Sequence, residues 1–199
     1  MSVELYDKAL LNKMNKWTKG TPVTLVNPQD DETLFKQMAD TQNDKSLKLP
    51  IISLTRPMGY EILNINRKPM GYAGMLIDHS TGRSLRLNAI PIKIEYLIDV
   101  YARYKEEAYA IARNLVFNIM NHPSVKVVLP YHGADYVHNS NIRLNPSIND
   151  TTDSMGFAKG QVTRLSLGLN IDDAYTWDIR KGINLSITEY QVELAEQRS

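Results

Sequence analysis

The sequence predicts an α+β fold. The expected core is a mostly antiparallel sheet of about 5–6 strands packed by one long helix. An N-terminal helix and long loop and hairpin excursions complete it. Three observations point there. Ile90, Ile92, Ile94, Tyr96, Ile98 and Val100 alternate with Lys93, Glu95 and Asp99. Ala108, Ile111, Ala112, Leu115 and Ile119 recur at three- and four-residue steps. Thr163, Leu165, Leu167, Leu169 and Ile171 alternate again with polar residues. Period two is a strand with one covered face, and period 3.6 is the apolar stripe of a helix lying on it.

Taken in order, Val3, Tyr6, Leu10, Met14 and Trp17 share one stripe, so a helix runs from about Val3 to Lys19 and stops at Gly20, with Ser2 as its cap. Val23–Val26 is a short strand closed by Asn27-Pro28. Asp30-Asp31-Glu32 opens a second short helix to about Ala39, the polar run 40–48 is a loop, and Pro50–Thr55 is a strand. Pro57-Met58-Gly59-Tyr60 recurs as Pro69-Met70-Gly71-Tyr72, two turn-forming segments that read as a hairpin arm. Asp78–Gly82 is a further turn before the long strand. On that strand Lys93, Glu95, Asp99 and Arg103 fall on the wet face, with Leu97 and Tyr101 as apolar exceptions.

The long helix follows at Lys105–Asn121, with Glu106 and Glu107 favoured by the dipole in its first turn and Pro123 beyond its end. Val125, Val127, Val128 and Leu129 make a short strand. Residues 131–160 are rich in Asn, Asp, Ser, Gly and His and read as a long loop, of the kind that is functional or ordered by a partner. Its removal, from Asp135 to Ser154, is expected to leave a folded protein. Tyr175 and Trp177 fall in a turn region ahead of a last strand on Ile183, Leu185 and Ile187, and the polar tail frays. The 199 residues fit a single domain 1–199. Within it, 1–48 is an N-terminal helical segment, 56–88 an extended arm and 131–160 the long loop.

Composition narrows the function. A net charge of +1 gives no electrostatic case for nucleic acid. The absence of cysteine removes disulfides, thiol catalysis and thiolate zinc sites. No apolar run reaches the ~18 residues of a membrane helix, and the first residues lack a signal-peptide core. His132, Asp135 and His138 lie close together in sequence and suggest a metal-dependent hydrolase, but loop spacing does not aim them at one point. Solvated loop histidines are the simpler reading. Adjacent acids such as Glu106-Glu107 and Asp172-Asp173 suit helix starts and turns. No nucleophile elbow, dinucleotide or phosphate-loop pattern occurs. The expectation is no enzyme, no cofactor and no metal.

Tyrosine is over-used, with 11 against three phenylalanines, and it is an interface residue. Tyr60, Tyr72, Tyr101, Tyr104, Tyr109, Tyr131, Tyr136, Tyr175 and Tyr190 are expected on loops and exposed faces. The residues expected to meet partners are Met58, Tyr60, Met70 and Tyr72 in the arm, and Tyr131, His132, Tyr136 and Phe157 in the long loop.

One stretch carries a family resemblance. Pro91, Ile94, Tyr96, Asp99, Val100 and Tyr101 on the strand, then Glu107, Ala108, Leu115 and Phe117 on the helix, resemble the core of tail terminator proteins of contractile-tailed bacteriophages, also called tail completion or sheath-stabiliser proteins. Leu49–Arg56 and the run from Val162 to Trp177 are similar to flanking strands of that family. The repeated PMGY segment has no counterpart in the pattern. The resemblance implies a virion protein of the tail or neck, assembled in the host cytoplasm. It implies a homo-oligomeric ring, usually a hexamer, that ends tube and sheath growth and presents a docking surface to the neck connector. Another neck, head-completion or baseplate role is the alternative. No membrane partner is expected.

Overall fold

The computed structural model describes residues 3–26, 49–57, 59–63, 70–78, 83–131, 134–153 and 162–177. Its spine is β5, Arg83–Ala102, a strand of 20 residues. β2 (Ile51–Thr55) pairs antiparallel with β5 on one side and β8 (Thr163–Trp177) on the other. The register aligns Leu54, Ile98 and Leu167. Ile92, Ile94, Tyr96, Ile98, Val100 and Ala102 are all buried, as their alternation predicts.

The opposite face departs from expectation. Asp99 and Tyr101 are also fully buried, so this part of the sheet is covered on both sides. Ser53 and Ser166 flank Asp99 in register. Arg164 Nη2 donates to Asp99 Oδ2 at 2.8 Å and Ser166 Oγ donates to Oδ1. A buried carboxylate is tolerated only when it is paired and hydrogen-bonded, and here it is both.

Two helices lie against this sheet. α1 is Val3–Trp17 and buries Val3, Tyr6, Asp7, Leu10 and Met14. α2 is Lys105–Asn121 and sets Ala108, Ala112, Leu115 and Ile119 on β5 and β8. The two alanines bring its first turns close to the strands. With β1 (Val23–Val26), β6 (Ser124–Tyr131) and β7 (Ala134–Asp150), the strand order is β1-β2-β5-β8-β7-β6, and β1 is parallel to β2. α1 touches both outer strands of that order, β1 and β6 (Ser124–Tyr131). Val23 N donates to Asn15 Oδ1 at 3.4 Å, and Lys13 Nζ donates to the Ser124 carbonyl. The sheet therefore curls, and α1 spans the gap between its two ends.

The expected 131–160 loop is largely a strand. β7 runs Ala134–Asp150 over 17 residues. Its residues 134–141 pair with β6 and its residues 142–150 with β8. His138, Ser140 and Ile142 point inward while Val137, Asn139 and Asn141 point out, so period two is present but written in polar side chains. Backbone pairing on successive partners supplies what apolar alternation does not. The register shifts between Leu144 and Ile148, around Pro146, which has no N–H for the ladder. Removing residues 135–154 would take out this strand, contrary to the expectation that it is dispensable. Likewise Tyr175 and Trp177 do not sit in a turn; they extend β8, opposite Pro91 and Ala89.

Two short elements complete the sheet. β3 (Glu61–Ile62) pairs with Lys93 and Ile92. β4 (Met70–Asp78) pairs antiparallel with β5 from Arg83 to Ala89, so Met70, Gly71 and Tyr72, expected in a turn, lie in a strand. The expected helix at 31–39 and strand at 183–187 lie outside the described residues.

Candidate assembly interface

Four of the residues expected to meet partners, Met70, Tyr72, Tyr131 and Tyr136, lie on the β4–β5 and β6–β7 strand pairs. Tyr60 is 46% exposed, directly before β3. Met70 and Tyr72 lie on β4, Tyr131 ends β6, and Tyr136 lies on β7 opposite Leu129. Met58, His132 and Phe157 lie outside the described residues. The strand register relates the two hairpins. β8 pairs with β5 down to Ala89 and with β7 down to Ile142. Residues 83–88 of β5 and 134–141 of β7 therefore both run on from the same end of the shared sheet. Among the described residues, 83–88 of β5 pair with β4 alone.

A second surface was missed. α2 turns Tyr109, Phe117 and Met120 to solvent, the last two at 60% and 68% exposure. Beside them, a groove of about 640 Å³ opens between the C-terminal half of α2 and the irregular part of β7. Val116, Ile119, Met120, Ile142, Leu144 and Ile148 line it. The signal was present in the sequence. Leu115-Val116-Phe117 and Ile119-Met120 make α2 apolar beyond the width of one core-facing stripe.

Several polar groups that could have marked chemistry hold the framework instead. Tyr96 OH donates to Asp7 Oδ1 at 2.8 Å, and Arg56 lies 3.5 Å from Asp7 Oδ2. Burial raises the Asp7 carboxyl above its ordinary range, against the Tyr96 hydrogen bond and Arg56. Burial also pushes the Tyr6 hydroxyl up to about 12. Tyr175 N donates to Tyr6 OH at 2.9 Å, and the Tyr6 ring stacks on Trp177 with centroids 5.9 Å apart. These contacts fix α1 to the sheet. His138 faces inward, edge-on to Tyr175 and Trp177 at 5.2 and 5.7 Å. Among the described residues no group of three or more His, Asp or Glu is arranged to hold a metal ion. Tyr101, expected on an exposed face, is buried with the Arg164 guanidinium 5.6 Å from its ring centre. Tyr104 and Tyr109 are exposed as expected.

No family model and no curated protein matches the chain. Among solved structures, the chain is similar to the PVC sheath/tube terminator in the extended state, from an extracellular contractile injection system. The identity is 12%, the TM-score 0.44, and the match covers 99% of this chain and 72% of that one.

Proposed function

We propose that this chain is a structural subunit that closes the head-proximal end of a contractile tail. Copies assemble as a ring, halt tube and sheath growth, and offer a surface to the neck connector. The observation that carries this reading is the β4–β5 hairpin. Six residues of β5 continue past the last described β8 partner, about 20 Å of strand, and among the described residues β4 alone lies alongside them. A two-stranded hairpin on its own is marginal in water, so a further surface, from this chain or from a partner, has to complete it. The resemblance to tail terminators supports the same reading. Several of its residues, Tyr96, Asp99 and Tyr101 among them, are buried members of the framework. In this reading the chain acts by shape, with no catalytic residue, and its place is the tail or neck of a particle.

The test is direct. The purified protein, imaged by negative stain, is expected to form rings, and adding it to polymerising tube and sheath subunits is expected to shorten the polymers. Polymer length unaffected by an excess of the protein would sink the capping role.

A further inference from the structure

We infer that α1 closes both ends of the curled sheet against strand addition, with Asn15 and Lys13 occupying backbone groups at which an added strand would begin. The inference does not rest on the capping role. The end strands of the described order are β1 and β6. An end strand carries a row of outward N–H and C=O groups, and that row is a template for a strand of another chain. The register shows which groups those are. Ile52 N donates to the Pro22 carbonyl at 2.9 Å, so in the parallel pairing of Val23 with Ile52 the N–H of Val23 points away from β2. Ile142 N donates to the Pro123 carbonyl at 2.8 Å. The next residue, Ser124, therefore turns its carbonyl away from β7. Asn15 Oδ1 accepts from Val23 N, and Lys13 Nζ donates to the Ser124 carbonyl. On each end strand, an outward group of the first residue is thus taken by a side chain of α1.

The sequence of α1 fits this task. Lys13 and Asn15 flank Met14, which is fully buried. Neighbours on a helix are about 100° apart. The two side chains therefore leave the buried stripe of Tyr6, Leu10 and Met14 on opposite sides, one toward each end strand. Lys13 Nζ also lies 5.0 Å from the Trp17 ring centre, and Asn114 of α2 donates to the Trp17 carbonyl at 3.3 Å, which ties this end of α1 down. The exposed residues of α1, Glu4, Lys8, Asn12, Asn15 and Lys16, are all polar, so the helix offers no apolar ridge of its own. β6 is blunted further along as well. Its outward register is Ser124, Lys126, Val128 and Pro130. Lys126 is exposed, and Pro130 has no N–H to offer. Contacts between copies are then left to surfaces other than the seam between β1 and β6.

The test removes the two polar flanks and leaves the buried stripe. In a double variant, Lys13→Met with Asn15→Ala, circular dichroism is expected to stay unchanged while amide exchange at Val23 quickens tenfold or more. Thioflavin-binding aggregates are expected at concentrations where the parent protein gives none. Thioflavin reports stacked strands, so this reading is separate from ring formation. The conservative pair Lys13→Arg with Asn15→Asp keeps one donor and one acceptor, and is expected to behave as the parent. Asn12→Ala, on the exposed side of α1, is expected to change neither readout. Should the double variant unfold, Asn15→Ala alone decides through the same exchange and aggregation. Val23 exchange and aggregation both unchanged would overturn the inference and leave α1 a packing helix. Aggregation as strong in the conservative pair as in the double variant would overturn it too.

Discussion

Asp99 shows how a single residue changes the reading of a face. It was expected in water because it alternates with apolar neighbours, yet it is fully buried against Arg164 and Ser166. Taking one partner away leaves an uncompensated buried charge, which costs about 3–5 kcal/mol. Arg164→Met is therefore expected to lose about 3 kcal/mol of stability in urea unfolding. The double variant Asp99→Leu with Arg164→Met is expected to recover most of that, because an apolar pair of similar volume removes both desolvation costs. Asp7 gives a pH prediction of definite sign. Its folded carboxyl titrates above the unfolded one, so the folded state holds the proton more tightly. Its contribution to stability is then greatest in acid and falls as pH rises from about 3.9, the ordinary carboxylate value, through the raised folded value. Asp7→Asn is expected to remove that fall, read as the difference between the urea midpoints of the two proteins across the acid range. Parallel pH profiles would show that the carboxyl is not held in this way.

At the scale of elements, α1, α2, β5 and the first half of β8 were legible because their apolar residues carry the period themselves. β7 was not. Its inward residues include His138 and Ser140, whose burial depends on Tyr6, Tyr175, Trp177 and the Asp173 carbonyl arriving from distant parts of the chain. Local sequence cannot show such long-range satisfaction. The same limit hid Tyr101 and the strand character of Tyr175 and Trp177. Of the candidate interface, Met70, Gly71 and Tyr72, read as a turn, lie in strand β4 instead, and the groove was overlooked although α2 is visibly too apolar for one stripe. The two faces of α2 give a contrast to measure. Leu115 is fully buried, and Leu115→Ala is expected to cost about 3 kcal/mol. Phe117 is 60% exposed, and Phe117→Ala in the dissociated chain is expected to cost under about 0.5 kcal/mol. β7 and β8 also fit closely where the register shifts. Asn170 Nδ2 donates to Asn145 Oδ1 at 3.0 Å, and any Cβ at position 168 would meet the Asn145 side chain. Gly168→Ala is expected to cost about 1–3 kcal/mol, by calorimetry or urea titration, as Asn145 is displaced.

For the whole molecule, the body is expected to fold without the arm. From Ala89 onward β5 keeps every pairing to β2 and β8, so replacing 70–88 by a short linker is expected to leave the unfolding midpoint nearly unchanged while abolishing rings in negative stain. A large loss of stability would place the arm within the folding unit instead. The central position of β5 has a further consequence, for the order of events during synthesis. Even its nearest β8 partner, Thr163 opposite Ala102, is made about sixty residues later. At about 5–20 residues per second, that is roughly 3–12 s in which a long apolar strand waits on the ribosome without its neighbour. α2 emerges directly behind β5 and sets Ala108, Ala112, Leu115 and Ile119 on the face that β8 will extend. The helix that later borders the groove thus first acts as a nascent cover, screening a sticky strand until the rest of the sheet is translated.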